Sequence, residues 1–329
     1  MEIILSYLFI SILLLLSSYL FIRRKNNPDN LPPSVFPSLP IIGHLYLLKP
    51  PLYRTFAKIS AKSGPVLLLR LGSRKVLLVS SPSAAEECLT TNDVVFANRP
   101  RMLFGKIIGM NYTSLAWSPY GDNWRNLRRI AATEILSIHR LNEFHEIRVD
   151  ESRLLLRKLM ISSSILSNSY TNSHVNMKDS NSSSDSSYSH VNMKSAFYEF
   201  TLNVMMRMIS GKRYFGGDIP AVEEEGRRFR EILNETFLLA GAANVGDYLP
   251  VLGWLGVKGL EKKLVRLQEK RDVFFQGLIE QLRKTKGGES ENKNKRKTMI
   301  ELLLSSQQSD PEYYTDAMIR SFVLVSNFF

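Results

Sequence analysis

The sequence predicts a mainly helical domain with a small β-sheet near its start, an α+β arrangement set behind an N-terminal transmembrane helix. Three observations carry this reading. Ile3 to Ile22 ("IILSYLFISILLLLSSYLFI") is a 20-residue run without a charge. Two β-rich runs flank a Gly72-Ser73 turn in "GPVLLLRLGSRKVLLVSSP". Beyond about residue 120 the apolar residues recur at helical spacing, in long segments punctuated by glycine.

Composition sets the limits. The chain has 329 residues, 44% of them hydrophobic, enough for a large core. Its 43 basic and 31 acidic residues give a net charge of +12, which suits nucleic acid, anionic lipid or an acidic partner without choosing among them. The basic residues are scattered, and the one cluster, Lys293 to Lys297, has a loop's composition, so no nucleic-acid partner is expected. One cysteine, Cys88, excludes an internal disulfide and any multi-cysteine metal centre.

Taken in order, residues 1–25 form a membrane anchor and its basic stop. The apolar run is long enough as a helix to cross a hydrocarbon layer of about 30 Å. Arg23, Arg24 and Lys25 follow it at once, which is the reverse of a secretory signal peptide and places the rest of the chain on the cytoplasmic side. Residues 26–45 hold Pro28, Pro32, Pro33, Pro37 and Pro40, and read as a stiff extended spacer. A short helix around Tyr53 to Ala61 precedes a hairpin of Val66 to Leu71 and Lys75 to Val79. "SPSAAEECLTTND" then opens with a capping serine and continues as helix. Further helices are expected in "AFYEFTLNVMMRMISGKRYFG", "VEEEGRRFREILNETFLLAGA", "GLEKKLVRLQEKRDVFFQGLIEQLRK" and "TMIELLLSSQ". Residues 161–195 break the pattern. They are rich in Ser and Asn and repeat "SHVNMK" at Ser173 to Lys178 and Ser189 to Lys194, so the expectation is a disordered insertion whose His174 and His190 bind no metal.

The stretch "YGDNWRNLRRI", Tyr120 to Ile130, carries one tryptophan and three arginines. At about 100° per residue, Trp124, Leu127, Arg128 and Ala131 share a helical stripe while Arg125 and Arg129 flank it. An arginine in an apolar stripe calls for an anion, because guanidinium cannot shed its charge. That anion is either a protein carboxylate, with Asp122 and Glu134 close in sequence, or a ligand.

The order of these features resembles a plant microsomal cytochrome P-450: anchor, basic stop, spacer ending in "PIIGHL", hairpin, "FANRP", "GDNWRNLRRI", "TLNVMMRMISGKRYFG" and "DPEYYTDAMIR". The wording is most similar to subfamilies that hydroxylate isoflavonoids and related phenylpropanoid or indolic metabolites. The resemblance runs from Met1 to about Val325 and fails in the serine-rich segment. It implies residues 46–329 as a P-450 domain, haem as cofactor, and Trp124 and Arg128 as the residues that bind a haem propionate. It also implies an NADPH-dependent reductase as partner, a small apolar or aromatic substrate, and a single-pass location in the endoplasmic reticulum membrane with the bulk of the chain cytosolic. By the same resemblance, Phe104, Ile107, Ile108 and Leu115 fall in the loop that covers the substrate pocket. Phe237 and Leu238 match the end of a helix that faces it.

Several of the family's elements do not occur in these 329 residues: the Ala-Gly-x-Asp-Thr turn, the Glu-x-x-Arg helix and the glycine-rich loop with the axial cysteine. Cys88, in "AAEECLT", follows two glutamates, which disfavour a thiolate. The expectation is therefore an incomplete cytochrome P-450 fold, inactive alone and without catalytic or metal-ligating residues of its own. The alternative is a non-enzymatic, membrane-anchored binding or interaction protein derived from such a gene.

Overall fold

A computed structural model describes residues 7, 10–15, 31–35, 37–173, 192–217, 219–241, 244–250, 259–288 and 296–326. Two compact units divide the chain: Met1–Phe96 with Asn244–Val257, and Ala97–Ala243 with Lys258–Phe329. Of the N-terminal hydrophobic run, Tyr7 and residues 10–15 are helical and exposed, and the remainder of that expected anchor lies outside the described residues. Among the described residues no helix is long and apolar enough to cross a membrane.

The first unit is built on a hairpin. Helix α1 (Leu52–Ser63) leads into strands β1 (Val66–Leu71) and β2 (Arg74–Val79), paired antiparallel with Val66 opposite Val79 and Leu71 opposite Arg74. On β1 the side chains of Leu67, Leu69 and Leu71 are buried in alternation, as the period of two requires. Helix α2 (Pro82–Glu86) follows, and its N-cap Ser81 Oγ accepts from the Ala84 N–H at 3.3 Å.

The proline-rich segment is more than a spacer. Its later part docks along β1: the Leu68 N–H donates to the Pro33 carbonyl at 2.9 Å, and the His44 N–H to the Arg70 carbonyl at 2.6 Å. The His44 ring is buried, and its Nδ1 accepts the Arg70 N–H at 2.8 Å. The ring proton then sits on Nε2, which donates to the Val35 carbonyl at 2.6 Å. Gly43 permits this approach. Its φ is +62°, and a Cβ there would stand 2.1 Å from the Arg70 carbonyl oxygen. Prolines predicted the absence of helix correctly, but a segment without helix can still satisfy its backbone against a neighbouring strand.

The second unit is helical: α3 (Leu103–Ile107), α4 (Asp122–Ile130), α5 (Ile138–Glu143), α6 (His145–Ser173), α7 (Met193–Ser210), α8 (Pro220–Ala240), α9 (Gly259–Gly288), α10 (Met299–Ser309) and α11 (Asp316–Ser326). The serine-rich insertion was expected from Ile161, but α6 continues to Ser173 and α7 begins at Met193, so both flanks are helical. Adding a residue to an existing helix gains a hydrogen bond for each residue fixed, and Ser and Asn penalise that step only weakly. Residues 174–191 lie outside the described residues.

The core gathers Leu127 and Ile130 of α4, Met206 and Ile209 of α7, Phe229 of α8, Phe275 and Ile279 of α9, Ile300 and Leu303 of α10, and Ile319 and Phe322 of α11. A polar hub sets its edge. Glu151 of α6 is 1% exposed and accepts from Arg207 at 2.7 Å, Arg213 at 2.6 Å and Asn203 at 3.0 Å. Asn203 in turn accepts the N–H groups of Tyr214 and Phe215 at 3.1 and 2.9 Å, and donates to the Phe215 carbonyl at 2.8 Å. Every strong acceptor in the hub has a donor, which is the condition for burying a carboxylate.

Arg271 is the opposite case. It stands in the apolar stripe of α9, between Leu267 and Phe275, and is 2% exposed. Among the described residues its Nε has no acceptor, and the guanidinium makes one hydrogen bond, a long 3.4 Å contact to Gln268. Burial pushes the guanidinium down to about 10, against a partial restoring effect of Asp272. The Asp272 carboxylate stands in ion-pair range of Arg320 on α11, Oδ1 to Nε 3.1 Å, without the alignment of a hydrogen bond.

These two buried charges give opposite expectations. Glu151→Ala strands Arg207 and Arg213 and should cost about 3–5 kcal/mol in denaturant unfolding. Arg271→Met removes a poorly compensated cation while keeping the volume, and should be neutral or stabilise by about 1–2 kcal/mol. Equal losses in both variants would contradict the contrast drawn between paired and unpaired burial.

Candidate cofactor-binding face on helix α4

Helix α4 follows Gly121, and its approach is fixed by side chains that replace missing backbone partners. The Tyr120 N–H donates to Asn98 Oδ1 at 3.1 Å, and Asn123 Nδ2 donates both to the Thr113 carbonyl and to Ser118 Oγ at 3.1 Å. The loop before it folds on itself. The Trp117 ring lies 5.6 Å from that of Phe104 and covers Gly105 so closely that a Cβ there would stand 2.5 Å from the indole. The Tyr112 hydroxyl closes the loop by donating to the Met102 carbonyl at 3.1 Å.

One face of α4 enters the core through Leu127 and Ile130, followed by Ala131 and Ile135 in the next turn. The stripe therefore centres between Leu127 and Ala131. Trp124 is half-buried on its margin, and Arg128 is exposed. This corrects the expectation of a buried Arg128: a helical stripe has width, and a position at its edge reaches water along the length of an arginine. The guanidinium pays no desolvation cost there.

Arg128 nevertheless stands where the sequence places it relative to Trp124, its Cζ 5.1 Å from the indole centroid. Arg99 lies 5.9 Å from the same ring, and the Tyr120 ring packs against it at 5.5 Å. Neither sequence neighbour supplies the anion. Asp122 pairs with Arg125, the Glu134 carboxylate accepts from Thr133, and Arg129 bonds to Asn126 at 2.7 Å. Among the described residues no carboxylate pairs with Arg128. The face thus presents an indole and two guanidiniums to solvent. Such a set can hold a carboxylate, by parallel N–H bonds from arginine and a further one from the indole. Arg99, in "FANRP", carries no periodic signal of this contact, because its partner Trp124 lies far along the chain.

Of the residues expected at a substrate pocket, Phe104, Ile107 and Ile108 come together in one cluster with Ile232 and Leu239 of α8 and Leu264 and Leu267 of α9. Leu115 packs instead at the edge of the main core. Phe237 and Leu238 are 51% and 74% exposed on α8.

For haem, the α4 face fits the propionate end of the group. The thiolate end has no counterpart here: Cys88 is half-buried in the π-helical turn Glu87–Thr91, directly after two glutamates.

Comparison with known proteins agrees with the order of motifs. The cytochrome P450 family model matches residues 33–328. Cytochrome P450 81Q32 of Catharanthus roseus is 44% identical over 319 residues, which cover 97% of this chain and 58% of that protein. An isoflavone 2'-hydroxylase of Medicago truncatula is 43% identical over 325 residues, covering 98% of this chain and 59% of the relative. An isoflavone 3'-hydroxylase of the same plant is 43% identical over 300 residues, covering 89% and 54%. The chain spans a little under three-fifths of the length of these relatives. With a family match over nearly its whole length, and the tryptophan and arginine pair of α4 placed side by side, the chain belongs to the cytochrome P450 family, whose cofactor is haem.

Proposed function

We propose that this chain forms the N-terminal portion of a membrane-bound, haem-dependent monooxygenase that hydroxylates a small apolar or aromatic specialised metabolite. The observation that carries the reading is the α4 face, where an exposed Arg128 stacks on the half-buried Trp124 and is free of any protein carboxylate among the described residues. Their role is to hold and orient a propionate, with Arg99 packed against the same indole. When bound, haem supplies the oxygen-activating chemistry, which draws on dioxygen and on electrons from an NADPH-dependent reductase. The names of the hydroxylase relatives support an isoflavonoid-like substrate. Phe104, Ile107 and Ile108, gathered against α8 and α9, are the residues of this chain best placed to form an apolar wall for it. Because Cys88 does not sit in a ligand loop, we propose that this chain by itself is inactive.

The test is a spectroscopic titration of the full chain with haem and with its dimethyl ester, in which both propionates are neutral. Haem should bind about tenfold more tightly, the worth of one charged hydrogen-bond pair, and Arg128→Leu should erase that preference. The reduced carbon monoxide complex should lack the red-shifted absorbance of a thiolate ligand. Equal binding of acid and ester to the parent chain would remove the propionate role.

We place the protein in the endoplasmic reticulum membrane by a single N-terminal span, with the bulk of the chain cytosolic, from the 20-residue apolar run and the basic residues that follow it. In that topology the sequons at Asn111, Asn181 and Asn234 never meet the glycosylation machinery. Microsomal protein should show no glycosidase-sensitive change in mass, and a shift traced to any of the three would reverse the orientation.

A further inference from the structure

The second unit contains a cavity of about 680 Å³ that shares no residue with the α4 face or with the Phe104 cluster. It opens where the end of α7, the C-terminal half of α9 and the start of α10 meet the Phe144 segment. Phe144, Leu278 and Leu282 supply an apolar wall, and four cations, Arg207, Lys212, Lys284 and Arg296, stand in the lining among polar residues such as Ser210 and Gln281.

Charge bookkeeping within the lining is one-sided. Among the described residues its one carboxylate, Glu301, is held in the capping box of α10, where it accepts the Thr298 N–H at 2.6 Å. Three of the cations have partners outside the lining: Arg207 with Glu151, Lys212 with Glu225, and Arg296 with Glu146. Lys284 has none among the described residues, and it is exposed on α9. An unpaired ammonium beside an apolar wall, with the one described carboxylate of the lining turned to a helix N-terminus, is a receptor for one negative charge with an apolar body.

We propose that this cavity binds a small amphipathic anion, a carboxylate or sulfonate carried on an aromatic or short aliphatic body. The apolar part lies against Phe144, Leu278 and Leu282, and the head group takes its hydrogen bonds from Lys284. Binding at this place is independent of haem and of the monooxygenase reading.

Calorimetric titration of the full chain at fixed ionic strength tests this, using naphthalenesulfonate and the uncharged naphthalenemethanol as probes. The sulfonate should occupy a single site, and the alcohol should bind about tenfold more weakly or less. Lys284→Glu should weaken the sulfonate by about tenfold while leaving the thermal midpoint unchanged, since Lys284 is exposed and unpaired. Lys262→Glu is the control: it makes the same change in net charge at an exposed position of the same helix outside the cavity, and should change affinity by less than about twofold. The proposal is overturned if no sulfonate binds, if the alcohol binds as tightly, or if the two variants weaken binding equally, which would mark a general charge effect.

Discussion

The buried carboxylate of Glu151 is the constraint on which the second unit rests. A carboxylate at 1% exposure is tolerable only when its oxygens are saturated, and here three donors reach it from two places: α7 supplies two, and the segment that follows α7 one. Satisfying one group therefore fixes the pairing of α6 with α7 and the direction in which the chain leaves α7. Asn203 completes the turn by bonding to the backbone of Tyr214 and Phe215, which carries both rings into the core. Leu127 and Ile130 of α4 rest on that same core, beside Met206 and Ile209 of α7. The orientation of the tryptophan and arginine face thus depends on a polar contact that none of its own residues makes.

The α4 face itself is arranged at little cost. Stacking an exposed guanidinium on a half-buried indole leaves the charge in water, and each contact contributes only a fraction of a kcal/mol to about one. The arrangement is available to an anion without being strained in its absence. Arg271 shows what the alternative looks like: a cation buried before its acceptor is secured, in a stripe where an apolar residue fits.

Much of this was legible in the sequence. Period-two runs around Gly72-Ser73 gave the hairpin to within a residue, and the 3.6 periodicity located α7 to α10. The partnership of Trp124 with Arg128 followed from spacing alone. Helix α6 did not, because its buried face includes Glu151 and its last turns are serine and asparagine, so the apolar signal that marks a helix is diluted at both ends. Arg128 was misjudged because spacing gives a direction around the helix but not a depth. Arg99 could not be assigned, since a contact across a loop leaves no periodic trace. The docking of residues 33–44 on β1 was hidden by prolines that report only what a backbone cannot do.

That docking has a mechanical consequence. The chain is tied to β1 at two points, Pro33 on Leu68 and His44 on Arg70, with a histidine ring set between the second tie and the Val35 carbonyl. Force applied to the chain before Leu31 meets the Pro33 tie first and the His44 tie only after it, because positions 33 and 44 are far apart on this segment while Leu68 and Arg70 are near neighbours on β1. The hairpin acts as a strain relief, so that a tug or lateral drag at the N-terminus is dissipated in the first unit before any of it can unwind α1.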